Sequence, residues 1–409
     1  MVRKLIKVVG VGAAVLIAVI GIILIVLFME HDQPVTLPAL TGPYAVGRAA
    51  FDWVDESRPE VLAPETALKR ELTVWIWYPA LIEKGARSSD YEPRPWRVAL
   101  AQHQGFVMTD LLRHNSALVH TRSFVNPQLA PSQPAYPVIL MKPGIGALAL
   151  DYSTLAEDLA SEGYIVVASD SPYSTYLVVF ENGRVAERRP EGNPGENAPV
   201  SLKNQVANRA ISTWVSDDRF LLDRLSQLNG SPGIFRRRLN LHAVGVMGHS
   251  FGGATAAEFC REDPRCTAGI DIDGIPFGQV VHTSLQRPFM FLMSDHSREQ
   301  RDAESQDVKE EIQSIYERLP PGRLLVILRN AGHFSFSDNP LIFNPIIVRM
   351  SGAAGSISPT RGLNAAAACI RAFFDVHLKG APASELLRLR TDYPQLMFAD
   401  DSKPVAAQM

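Results

Sequence analysis

One pentapeptide in the chain carries a recognisable chemistry. Gly248-His249-Ser250-Phe251-Gly252 fits the pattern G-x-S-x-G. An apolar run, Ala243 to Met247, leads into it, and a small-residue segment, Gly253-Ala254-Thr255-Ala256-Ala257, leads out. A strand turning sharply into a helix at that point exposes the serine hydroxyl, and glycines on either side let neighbouring backbone approach it. Ser250 is therefore a candidate nucleophile. The same stretch is not a phosphate loop, because no Lys-Ser/Thr pair follows its glycines.

A serine hydroxyl becomes nucleophilic when a base takes its proton and an acid orients the base. With this turn the expected chain order is Ser, then Asp or Glu, then His. The downstream histidines are His282, His296, His333 and His377. His333 follows the apolar run Leu324–Leu328 and sits in Asn330-Ala331-Gly332-His333-Phe334, where a loop at a strand end would hold the base. His377 falls within a helical pattern and reads as a packing or surface residue. His249 takes the variable position of the turn and reads as structural. For the acid, Asp273 ends the run Ala268–Ile272 and Asp295 follows Pro288–Met293; spacing alone leaves the two as competitors. An oxyanion needs two backbone N–H donors. Phe251, directly after the nucleophile, supplies one. Ile145, in the loop Pro143-Gly144-Ile145-Gly146 after Val138–Lys142, is the candidate for the other. No H-E-x-x-H pattern or calcium-loop spacing occurs, and the reading calls for no metal and no cofactor.

The elements that must position these residues follow from periodicity. Strands are expected at Thr73–Tyr78, Val138–Lys142, Tyr164–Ser169, Ala243–Met247, Ala268–Ile272, Pro288–Met293 and Leu324–Leu328. Several are unbroken apolar runs, as in strands buried on both faces. Helical patterns alternate with them. One is Tyr152–Glu162, with Asp151 as its expected N-cap and Gly163 as its C-cap. The alternation implies an α/β fold with a mostly parallel central sheet and helices on both faces. Two stretches interrupt it, 81–136 and 171–203, and inserts of that length tend to be lids or pocket walls.

The N-terminus is separate in character. Arg3, Lys4 and Lys7 precede an uncharged run from Val8 to Met29. As a helix that run would be roughly 33 Å long, enough for a hydrocarbon core. Leu27-Phe28-Met29-Glu30 is a poor cleavage site, so the run reads as a signal anchor over 1–30, with the rest of the chain outside the cytoplasm. Residues 31–42 read as a linker and 43–409 as one catalytic domain. In that compartment Cys260 and Cys266, flanking the turn Asp263-Pro264-Arg265, are a candidate disulfide; the alternative is two buried thiols. Cys369 reads as a core residue. The chain is 46% hydrophobic and 20% charged with a net charge of −3. This composition excludes a disordered chain, and the absence of a long basic tract gives no support for nucleic-acid binding.

Taken together, the chain resembles the platelet-activating factor acetylhydrolase family, in particular its bacterial α/β-hydrolase members. The resemblance runs from about residue 41 to 380. It rests on Thr41-Gly42-Pro43-Tyr44-Ala45-Val46-Gly47, Trp77-Tyr78-Pro79-Ala80, the extended elbow Gly248 to Thr255, Gly269-Ile270-Asp271-Ile272-Asp273-Gly274 and the His333 loop. It implies an α/β-hydrolase fold, and it places the acid 23 residues beyond the serine, at Asp273. It also implies metal-independent hydrolysis of short or oxidised sn-2 acyl groups of phospholipids. The family's usual His-Gly pair ahead of the oxyanion residue is Pro143-Gly144 here. The expected function is a membrane-anchored serine ester hydrolase acting on an ester or phospholipid. A general short-chain carboxylesterase or polyester hydrolase is the alternative, and a catalytically silent lipid-binding protein is a more distant one. The apolar residues Phe106, Val107, Met108, Leu111, Leu112, Leu118 and Val119 read either as a rim that meets lipid or as ordinary packing.

Overall fold

The computed structural model describes residues 2–63, 67–195, 197–296 and 303–399. Its spine is a run of eight strands: β1 (Ala45–Pro59), β2 (Lys69–Leu81), β3 (Tyr136–Lys142), β4 (Ile165–Ser169), β5 (Leu239–His249), β6 (Cys266–Ile272), β7 (Phe289–Met293) and β8 (Leu324–Leu328). They lie in the order β1-β2-β4-β3-β5-β6-β7-β8. The pairs from β4 through β8 are parallel; β1 with β2 and β2 with β4 are antiparallel. A short strand β9 (Leu396–Phe398) closes the β8 edge in the antiparallel sense. At the opposite edge Val119–Val125 pairs with β1, and Val35–Thr36 pairs with it in turn.

Strand residues alternate between two hydrophobic layers. Ile139 and Met141 of β3 face one layer, which holds α3 (Ser153–Ser161) and α7 (Pro359–Lys379). Val138 and Leu140 face the other, built from α4 (Val200–Gly230), α5 (Phe251–Glu262) and α6 (Ala303–Arg318). Sheet positions so enclosed must be apolar throughout, which is why these strands show as continuous hydrophobic runs. β1 carries Arg48, Asp52, Asp55, Glu56 and Arg58 and shows no such run; the seven expected strands did not include it.

Gly163 (φ +94) ends α3 as expected. Its start differs. The helix begins at Ser153, and Asp151 belongs to a preceding 3₁₀ turn, Ala149–Tyr152, where its carboxylate accepts the Leu148 N–H at 2.9 Å. The Cys260–Cys266 disulfide is formed, with Cα atoms 5.1 Å apart, and ties the end of α5 to the start of β6. Cys369 is a buried free thiol.

α1 spans Val2–His31. Its Val11–His31 portion is the one helix among the described residues long and apolar enough to cross a membrane. The connector that follows is pinned rather than loose: Leu37 is fully buried, and its N–H donates to the His120 carbonyl at 3.0 Å. The insert 81–136 contributes Ser88–Asp90, α2 (Arg94–Phe106), a π-helical turn at Val107–Leu111 and the edge strand Val119–Val125.

Candidate active site

β5 ends at His249 and α5 starts at Phe251, so Ser250 alone makes the turn. Its backbone sits at φ 56, ψ −124, a region that costs a side-chain-bearing residue on the order of 1–3 kcal/mol. The surroundings hold it there. Its N–H donates to the Ile272 carbonyl at 2.9 Å, and its carbonyl accepts the Gly253 N–H at 2.8 Å. A Cβ on Gly248 would collide with the Gly252 carbonyl, and one on Gly252 with the carbonyls of Lys142 and Pro143. Those two positions must be glycine for β5, α5 and the β3 loop to meet.

The candidate base and acid arrive from two further strand ends. His333 opens a 3₁₀ turn after β8, and its Nδ1 lies 2.8 Å from Asp273 Oδ2. Asp273 follows β6 directly. Its φ of +51 breaks the strand, so its side chain leaves in a direction different from that of Asp271 two residues earlier. The other Asp273 oxygen accepts the Ser294 N–H at 2.7 Å and faces His296 Nε2 at 3.0 Å. The carboxylate is 1% exposed and the His333 ring 41%. Burial alone would raise the pKa of Asp273. The hydrogen bonds with His296 and His333 outweigh it and hold the carboxyl far below the usual carboxylate range. With Nδ1 on the carboxylate, Nε2 is the nitrogen left for a serine hydroxyl.

Asp295, the other candidate acid, has its own partners. Its Oδ2 accepts the Asn330 N–H at 2.7 Å and its own N–H donates to the Ala331 carbonyl, so it shapes the loop that presents His333. Asp271 accepts the Gly274 N–H at 2.8 Å, and burial raises its carboxyl well above the ordinary value. His296 has no role predictable from spacing; its contact with Asp273 is set by a turn, not by a motif.

His249 is structural, as expected, and its partners give it a specific task. Nε2 lies 2.9 Å from the His333 carbonyl and Nδ1 2.7 Å from the Tyr152 hydroxyl. Burial, reinforced by the neighbouring His333 ring, pushes its pKa down to about 3, so the ring is neutral. A carbonyl only accepts, so Nε2 carries the proton and Nδ1 accepts from Tyr152. The Tyr152 oxygen in turn accepts the Gly144 N–H at 3.3 Å. A directed chain of hydrogen bonds thus links the β3 loop to the backbone of His333. Tyr152 was not predictable from the pentapeptide. The ligand atoms of His249, Asp273 and His333 lie within 4.8 Å of one another, spacing that a metal ion could also use. Both His249 nitrogens and both Asp273 oxygens are, however, already engaged in these hydrogen bonds.

Gly144 and Gly146 flank Ile145 and have committed N–H groups, to Tyr152 and to the Ser174 carbonyl. The N–H groups of Ile145 and Phe251 make no hydrogen bond among the described residues. Phe251 opens α5, where the first-turn donors have no partner within the helix. Both residues line a cavity of about 740 Å³.

A mostly parallel sheet wrapped by helices, with an elbow serine beside an Asp–His pair, defines a serine hydrolase of the α/β-hydrolase class. Within that class the chain belongs to the platelet-activating factor acetylhydrolase, isoform II family, whose model matches residues 29–193 and 231–382. A probable 1-alkyl-2-acetylglycerophosphocholine esterase of Arthroderma benhamiae is 27% identical over 390 residues, covering 89% of this chain and 94% of that protein. The platelet-activating factor acetylhydrolase of Cavia porcellus is 28% identical over 242 residues, 54% of this chain and 53% of that one. Among solved structures, a ferulic acid esterase from Streptomyces cinnamoneus superposes with a TM-score of 0.73 at 27% identity, covering 90% of this chain and all of the other. The protein is a serine ester hydrolase.

Proposed function

We propose that Ser250, His333 and Asp273 form the catalytic triad, and that the ester cleaved is a short or modified acyl group, foremost the sn-2 acyl of a phospholipid. The observation that carries the triad is the 2.8 Å contact of His333 Nδ1 with the buried Asp273 carboxylate, one strand away from the strained Ser250 turn. His333 Nε2 takes the hydroxyl proton as Ser250 attacks the ester carbonyl. Asp273 stays ionised and stabilises the imidazolium. The N–H groups of Ile145 and Phe251 receive the developing oxyanion. His333 then protonates the leaving alcohol and activates the water that releases the acid. The named activities of the fungal and guinea-pig relatives support a glycerophospholipid substrate. The ferulic acid esterase likeness supports the second reading, a general short-chain carboxylesterase.

The N-terminal helix is read as an uncleaved signal anchor with the catalytic domain outside the cytoplasm. Its last residue supports a fixed seat. The His31 ring lies 2.9 Å from the Arg113 carbonyl, and the His31 carbonyl accepts the Asn115 N–H at 2.9 Å. The segment so tethered begins with Phe106 and Val107, each 59% exposed, whereas Leu111 is only 9% exposed. The apolar stretch therefore divides into a packed part and a presented part, and the presented part is read as meeting lipid.

The test is a competition between a phospholipid with an acetyl sn-2 group and one with a long sn-2 chain. Preference for the acetyl lipid over both the long-chain lipid and simple alkyl esters is expected. Equal or better turnover of simple esters would move the assignment to the general carboxylesterase.

A further inference from the structure

The cavity lined by Ile145 and Phe251 is shared with residues of other elements. Its volume, about 740 Å³, lies in the range, roughly 300–1,000 Å³, that holds a whole small molecule. Part of its wall is polar and positively charged, with Arg188, Lys203, Asn193 and Asn197. Among the described residues none that lines the cavity is acidic, and neither Arg188 nor Lys203 is held by a carboxylate.

This wall is built onto the oxyanion loop. The Gly146 N–H donates to the Ser174 carbonyl and the Gly146 carbonyl accepts the Tyr176 N–H, both at 3.2 Å. The Tyr176 carbonyl accepts the Arg188 N–H at 3.1 Å. Asn193 Nδ2 donates to the same Ser174 carbonyl at 3.1 Å. Arg188 and Asn193 are thus each two hydrogen bonds from Gly146, not on a free loop. Lys203 comes from the other side, in the first turn of α4. That helix starts after Pro199 with no side-chain cap, so its positive end faces the same region. Lys203 also lies between the two stretches that match the family model.

Two cations on one concave wall repel each other, and low-dielectric walls concentrate their field. An anion relieves that repulsion and can take hydrogen bonds from both side chains and from the asparagines. The geometry points to an anion subsite in this cavity: Arg188 and Lys203 select esters that carry a negatively charged group beside the scissile bond. Two parts of an ester could bring it, a phosphate on the alcohol or a carboxylate at the far end of the acyl chain. The inference rests on the ester-hydrolase reading above and deepens it.

The test uses the full-length protein in neutral detergent. It compares wild type with the double variant Arg188→Gln, Lys203→Gln on four soluble esters. 4-Nitrophenyl butyrate and tributyrin are neutral. 4-Nitrophenyl hydrogen glutarate carries the charge on the acyl side, and dibutyryl glycerophosphate carries it on the alcohol side. The double variant should lose about tenfold in kcat/KM on at least one charged ester, with the loss shrinking as salt is raised, while the neutral esters change less than twofold. The charged ester that loses identifies the source of the anion. Equal changes on charged and neutral esters, or no change on either charged ester, would overturn the subsite and leave the hydrolase reading intact. Failure of the wild type to turn over any of the four would instead overturn the hydrolase reading and the subsite with it.

Discussion

Replacing His249 by glutamine tests the directed hydrogen-bond chain through a quantity that catalysis does not enter. In the folded protein this ring stays neutral down to about pH 3, because it is buried and faces the His333 ring. In the unfolded chain it protonates near its ordinary value of 6.5. The folded value is the lower of the two, so stability is full above pH 6.5 and falls as the pH drops toward 3, because only the unfolded state takes up the proton. Between pH 7 and pH 5 the unfolded form gains about 2 kcal/mol from this one group, at 1.36 kcal/mol per pH unit once titration is under way. Glutamine does not titrate and can still donate to the His333 carbonyl and accept from Tyr152. Urea midpoints of both proteins at pH 7 and pH 5, converted to free energies, give the answer. The wild type should lose about 2 kcal/mol more than His249→Gln over that interval. Other acid-sensitive groups, His377 among them, contribute to both proteins and cancel in the difference. Equal acid losses would show that His249 is not a buried neutral ring and would undo the tautomer assigned from its partners.

Asp273→Asn should lower kcat on a soluble ester by about 10³- to 10⁴-fold with folding retained, since the amide no longer fixes the histidine tautomer. Asp295→Asn, which loosens the loop at Asn330, should cost less than about tenfold, and the reverse ranking would hand the acid's role to Asp295. Removing the Cys260–Cys266 disulfide by double substitution to alanine should lower stability by about 2 kcal/mol, as expected for so short a loop. Unchanged urea midpoints would show that the link adds nothing. Phe106→Ser with Val107→Ser should reduce turnover of phospholipid in vesicles severalfold and leave a soluble ester within twofold. Equal losses on both substrates would give these residues a packing role.

The parts of this molecule that were legible in its sequence are those where one physical demand dominates. Strands β3 to β8 sit between two helical layers, so most of their positions are apolar and the run shows directly. The elbow was legible because close backbone approach at Gly248 and Gly252 admits no Cβ. β1 was not, because its many charged residues break the apolar pattern of a strand. The choice between Asp273 and Asp295 depends on a left-handed backbone at Asp273, which re-aims the carboxylate without altering sequence spacing. Family resemblance points to Asp273 where spacing leaves the two as competitors. Tyr152 and His296 were beyond reach because each meets the site through tertiary packing across distant elements, 97 residues from His249 in one case and 23 from Asp273 in the other. The stretch Phe106 to Val119 shows the same limit: its apolar residues look alike in sequence, and only the fold separates packed Leu111 from exposed Phe106.

The central claim is that Ser250 is the activated nucleophile, and covalent labelling tests it most directly. The full-length protein is treated with a fluorophosphonate, digested, and the modified peptide identified by mass spectrometry. The account predicts a single adduct on Ser250, formed at a rate that collapses in His333→Ala, and no adduct in a folded Ser250→Ala variant. An adduct on a different serine, or undiminished labelling of Ser250→Ala, would contradict it.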